Sequence, residues 1–283
     1  MKRIINYTTG GLGNRLRPLS SAYAISKVTG REFCQYWDSE VTNGSLAEFN
    51  ELFENDIKII SSEELEDMTS YRIYSDYDIV SRLASKYKLS TLKYMVDKGV
   101  GRLTPRAEYK NDNSEENVIL YCNNFIPNTD INLCNEFLQS LKPIKEIQDK
   151  IDLESEELKL NKTIFGIHAR GTDFNTDVSY YTFQIENVIK NNSDAKFFLS
   201  TDDSDYERII CNTFGDKIIT RKKRLHLKKV EESTGWDYNF LITKEKSQDS
   251  VVDLFLLSKT NIKIFNPNST FYEVAEIISK KNN

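Results

Sequence analysis

Apolar residues in this chain gather in short runs separated by stretches with helical spacing, most regularly in its second half. Strands are expected at 163–168, 196–200, 217–220 and 262–265, where each run is apolar, bounded by polar residues and too short for a helix. Helical periodicity follows each one, near 180–190, 203–213, 249–259 and 270–280. Strands alternating with helices in this way imply a parallel sheet covered by helices, an α/β architecture. The first half opens similarly, with a strand over 2–7, a glycine-rich turn from Thr9 to Asn14 and a second strand from Arg31 to Tyr36. The helix between them is expected from about Pro18, a residue suited to a first helical turn, to about Lys27. From 40 to 115 the pattern is weaker: strands at Ile57–Ile60 and Tyr71–Tyr74, and a helix from Val80 to Val96. A firm strand follows at Val118–Tyr121, and then a helical stretch from Ile131 to Leu158 that Pro143 interrupts.

A length of 283 residues accommodates two domains with separate cores. The boundary is expected between Pro143 and Asn161, giving domains 1–158 and 159–283. Hydrophobic content of 39% and charged content of 29% are those of a soluble globular protein, and a net charge of −5 argues against a general nucleic-acid binder. No apolar stretch approaches the roughly 20 residues that span a bilayer. The N-terminus reads as a strand and not as a signal peptide, so a cytoplasmic location is expected. Cys34, Cys122, Cys134 and Cys211 share no metal-ligand spacing and there are only two histidines, His168 and His226, so reduced thiols and no zinc site are expected.

The chemistry concentrates where strands end. His168, Arg170 and Asp173 arrive together at the end of the 163–168 strand, and ligands of open parallel sheets bind at such ends. Arg170 offers a fork of donors suited to a phosphate. Asn268, Ser269 and Thr270 stand where the last strand runs into the last helix; they cap that helix, and free amides with two hydroxyls also make an anion site. Asp253 lies in an apolar helix, Val251–Leu257, where an ionised carboxylate needs a partner. Two partners fit equally: a structural lysine or arginine, or a guanine base presenting adjacent N–H donors. Asp203 and Asp205 form an Asp-x-Asp pair that reads as a helix start ahead of a metal ligand. The basic run Arg221–Lys229 reads as a solvated loop, with weak contact to an anionic acceptor or surface as the alternative. Glu231–Ser247 reads as a long loop. Gly10, Gly11 and Gly13 partly match a dinucleotide fingerprint, but Leu16 replaces its third glycine, so backbone approach to another ligand is the better reading.

In this order, Gly-Gly-Leu-Gly-Asn-Arg-Leu16, Gly-Ile-His-Ala-Arg-Gly-Thr-Asp173, Phe-Leu-Ser-Thr-Asp-Asp203, Val-Asp-Leu-Phe-Leu-Leu-Ser258 and Asn-Ser-Thr-Phe271 resemble the motifs of the fucosyltransferase superfamily. That group holds the α1,6-, nodulation-factor, α1,2- and protein O-fucosyltransferases. The resemblance covers 8–30 and 163–278. It implies a GT-B fold of two Rossmann-like domains facing across a cleft, and inverting transfer of fucose from GDP-fucose to a glycan without metal or cofactor; the alternatives are a metal-dependent transferase using another nucleotide sugar and a non-catalytic glycan- or nucleotide-binding protein. It also implies roles: Arg170 on the β-phosphate with Ser269, Thr270 and Asn268 nearby, and His168 and Asp253 bordering guanine. Asp173 and Asp202 support the site, and Asn14, Gly11 and Gly13 face the donor from the other domain. Gly171 stands where the α1,6 and α1,2 groups carry a second arginine, so another cation, Arg15 or Arg17, is expected to replace it.

Overall fold

The computed structural model describes residues 2–37, 47–76, 101–109, 116–171, 176–223 and 243–282. Its contacts divide the chain into two compact units, Met1–Lys142 with Leu241–Ser247, and Pro143–Phe240 with Gln248–Asn283. The helix expected over Val80–Val96 lies outside the described residues, as does most of Glu231–Ser247.

The first unit contains β1 (Arg3–Thr8), α1 (Leu12–Thr29), β2 (Glu32–Trp37), β3 (Lys58–Ile59), α2 (Ser62–Glu66), β4 (Tyr71–Ser75), β5 (Gly101–Pro105), β6 (Asn117–Tyr121) and α3 (Ile131–Gln139). Its six strands form a parallel sheet in the order β3-β2-β1-β6-β4-β5. Ile5, Tyr7, Ile119 and Tyr121 pack into one core, while Ile4, Val118 and Leu120 pack with Ala22 and Ile25 of α1 into another. The alternation sends successive residues to opposite faces, and both faces are buried, which is why β1 and β6 read as continuous apolar runs.

α1 starts at Leu12, so Pro18 is inside the helix and not in its first turn. The glycines explain the difference. Gly10 adopts φ of +81°, a left-handed conformation that favours glycine, and the chain then turns so that the Arg15 N–H reaches the Gly11 carbonyl at 3.1 Å. Arg15 is fully buried beneath this turn. It donates from Nε to the Gly10 carbonyl at 2.7 Å and from Nη1 to the Thr8 carbonyl at 3.3 Å, and lies 4.8 Å over the Trp37 ring.

The second unit contains α4 (Lys145–Glu157), β7 (Phe165–Ala169), α5 (Val178–Asn191), β8 (Phe197–Thr201), α6 (Ser204–Phe214), β9 (Ile218–Ile219), α7 (Lys244–Ser258, its part from Gln248 on), β10 (Asn261–Phe265) and α8 (Thr270–Ser279). Its strands form a parallel sheet in the order β10-β7-β8-β9. Ile167, Ala169, Phe197 and Leu199 turn one face toward Tyr181, Ile185 and Ile210. His168 and Ser200, one step out of phase, belong to the other face, where the Ser200 hydroxyl meets Asp253 of α7. α4 groups with the second unit, which starts at Pro143, the near end of the interval in which the boundary is expected. Ion pairs hold it there: Lys150 to Asp249 at 2.7 Å and Glu154 to Arg221.

Candidate functional site

The strands of the second sheet are parallel, so their carboxyl ends share one edge. Register sets His168 of β7 opposite Phe265 of β10 and Ser200 of β8. Just past β10, Ser269 caps α8, accepting the Tyr272 N–H at 3.4 Å. Its hydroxyl also lies 2.9 Å from His168 Nδ1, and the His168 ring stacks on Phe271 with centroids 4.8 Å apart. The end of β7 and the start of α8 are therefore one local structure. Of the two capping candidates, Ser269 is the cap; Asn268 is exposed and donates its N–H to Asn266 Oδ1 at 2.8 Å, and Thr270 opens the helix.

Burial pushes the His168 pKa down to about 4. The Asp202 carboxylate opposes the shift, while Arg170 and Lys223 reinforce it. The imidazole is thus neutral at pH 7. Arg170 follows two residues later, with its backbone fixed from both sides. Its own N–H donates to the Tyr181 hydroxyl at 3.2 Å, and the Gly171 N–H donates to Asp202 Oδ1 at 3.0 Å. Asp203 is the N-cap of α6, its Oδ1 accepting from Asp205 N at 2.8 Å and Tyr206 N at 3.2 Å. Among the described residues no group of three or more His, Cys, Asp and Glu side chains could hold a metal ion.

Asp253 is buried with partners on both oxygens. Arg221 donates to Oδ1 at 3.0 Å, Ser200 to Oδ2 at 3.0 Å, and Lys223 also to Oδ2. Arg221 additionally binds Asp249 at 3.1 Å and both oxygens of Glu154. Of the two readings of Asp253, the structural ion pair is present. The reading of Arg221–Lys229 as a solvated loop needs correction at its start, since the side chains of Arg221 and Lys223 are 1% and 6% exposed. Two cations already held by buried carboxylates are poorly placed to draw an anionic surface. Residues 224–229 lie outside the described residues.

Asn14, Gly11 and Gly13 belong to the first unit, at the start of α1. Gly11 has ordinary extended geometry and a Cβ built there would meet nothing within 4 Å, so nothing among the described residues requires a glycine at that position. The expectation that Arg15 or Arg17 supplies a phosphate contact does not fit Arg15, whose guanidinium is spent under the glycine turn. Arg17 donates to the Asn123 carbonyl at 2.6 Å. Asp173 lies outside the described residues. Sequence reasoning passed over Ser200, Tyr181 and Lys223. The charge opposite Asp253 was visible only as a basic run, with no sign of which of its members turns inward.

Two parallel α/β sheets, one ending in an arginine beside a capped helix start, define the class of fold: that of the GT-B glycosyltransferases. Solved structures agree. NodZ α1,6-fucosyltransferase soaked with GDP-fucose superposes with a TM-score of 0.64 at 17% identity, covering 98% of this chain and 93% of that one. Fucosyltransferase NodZ from Bradyrhizobium gives 0.64 at 18%, over 97% and 92%. POFUT1 in complex with GDP-fucose gives 0.54 at 10%, over 98% and 93%. No protein-family model and no curated protein sequence matches the chain. At such identities the likeness establishes the fold, and this chain has the fold of the fucosyltransferases over nearly its whole length.

Proposed function

We propose that the protein is a glycosyltransferase that takes fucose from GDP-fucose and passes it to a glycan hydroxyl, with inversion at the anomeric carbon and without a metal ion. One observation carries the reading: the Ser269 hydroxyl lies 2.9 Å from His168 Nδ1, which joins the α8 start to the strand end bearing Arg170. A guanidinium and a helix start at one sheet edge suit a diphosphate. Structures of the same fold are described as holding GDP-fucose.

As the glycosidic bond breaks, negative charge builds on the β-phosphate and the sugar gains oxocarbenium character. Arg170 and the donors of Ser269, Thr270 and the α8 amides, with Asn268 beside them, stabilise that leaving charge. Neutral His168 borders the base, and Asp253 accepts its N–H donors. Asp202 holds the Gly171 amide and so aims Arg170, and Asp173 supports the same loop. Asp203 Oδ1 caps α6, and charge neutralisation is assigned to Arg170.

The test is incubation with GDP-fucose and a panel of glycans. A fucosylated product with inverted anomeric configuration by NMR is expected, and Arg170→Ala is expected to lose roughly 10²–10³ in rate with its thermal midpoint unchanged. Wild-type-like transfer by that variant would refute the assignment.

A further inference from the structure

Lys223 and Asp253 form a buried pair on the sheet face that carries His168, and Lys223 contributes to the field at that imidazole. The pairing is redundant for Asp253. Arg221 already holds Oδ1 at 3.0 Å and Ser200 donates to Oδ2 at 3.0 Å, so Asp253 remains compensated if Lys223 leaves. Arg221 itself cannot leave readily, being bound to Glu154 and Asp249 as well. The two cations differ in kind: one is a fixed fork locked among three carboxylates, the other a flexible stem whose one ion-pair partner among the described residues is Asp253.

With GDP taken as the nucleotide, as proposed above, the base must displace something from Asp253. Guanine presents O6, N1–H and N2–H in sequence along one edge: acceptor, donor, donor. We propose that Lys223 is a specificity residue that reads guanine O6, moving off Asp253 Oδ2 as the base's two N–H donors take the carboxylate. Lys223 then keeps an acceptor, Asp253 keeps its donors, and no buried charge is left unpaired. Adenine offers donor then acceptor along the same edge, and uracil acceptor, donor, acceptor. Either base sets an acceptor against Asp253, and adenine also sets a donor against Lys223. Discrimination arises from that mismatch, since a site built for hydrogen bonds rejects ligands that leave its groups unpaired.

The experiment is calorimetric titration of the full chain and of Lys223→Met with GDP and 6-thio-GDP, in which a poorly accepting sulfur replaces O6 while both N–H donors remain. Wild type is expected to prefer GDP by roughly 10- to 100-fold, the range for a hydrogen bond to a charged group. Lys223→Met is expected to erase that preference. If Lys223 serves only to neutralise Asp253 or to touch phosphate, both ligands weaken together, the preference survives, and the inference is overturned. Lys223→Gln, which keeps a neutral donor, is expected to show an intermediate preference; a full wild-type preference in it would also count against the inference. Failure of wild type to bind GDP at all would instead bring down the GDP reading.

Discussion

A β-carbon built on Gly171 would lie 2.5 Å from Asp203 Oδ2 and 2.6 Å from Asp203 Cβ. Asp203 cannot yield cheaply, because it caps α6. The absence of a second arginine after Arg170 is therefore enforced by packing. Gly171→Ala is expected to cost roughly 1–3 kcal/mol, as overpacking does, read as a lower midpoint in chemical denaturation. Gly171→Arg is expected to impair transfer and not to improve it. His168 supplies a pH prediction. Its folded pKa, about 4, is below its ordinary 6.5, so between those values the unfolded chain binds more protons. Stability is full above about pH 6.5 and falls as pH drops toward 4, by up to roughly 3 kcal/mol from this group. Denaturation midpoints of wild type and His168→Asn across that window check it: the variant is expected to lack this component of the slope.

Among the elements, α4 and α7 are joined through charge. Arg221, just past β9, binds Glu154 of α4 and Asp249 and Asp253 of α7. Removing it strands buried carboxylates, so Arg221→Met is expected to destabilise by roughly 3–5 kcal/mol, a fall visible in thermal unfolding, whereas removing the exposed pair Lys145–Asp149 is expected to change little. These elements also mark how far the sequence could be read. Strands buried on both faces, such as Phe165–Ala169 and Phe197–Thr201, announce themselves as apolar runs, and the Ser269 cap has its own residue signature. The chain pattern around α1 misled because Pro18 looks like a start, while the true start depends on Gly10 and the buried Arg15. The inward turn of Arg221 was illegible for a similar reason: a run of like charges does not say which member meets carboxylates supplied by helices far away in sequence.

For the whole molecule, likeness of fold to NodZ and POFUT1 structures extends over nearly the full chain while identity stays at 18% or below. What the likeness shows at that distance is the fold, two parallel sheets each covered by helices. No helix among the described residues is long and apolar enough to cross a membrane. Because a ligand that binds only the folded state raises apparent stability, GDP is expected to raise the thermal midpoint more than ADP or UDP at equal concentration. EDTA is expected to leave both the GDP shift and turnover intact; turnover lost in EDTA and restored by Mn²⁺ would favour metal-dependent transfer through Asp203 and Asp205. The most direct measurement is GDP affinity in wild type, Arg170→Ala and Ser269→Ala. If the strand end and the helix start grip one diphosphate, saturable binding in wild type weakens by roughly tenfold or more in each variant. Equal affinity in all three proteins would contradict it.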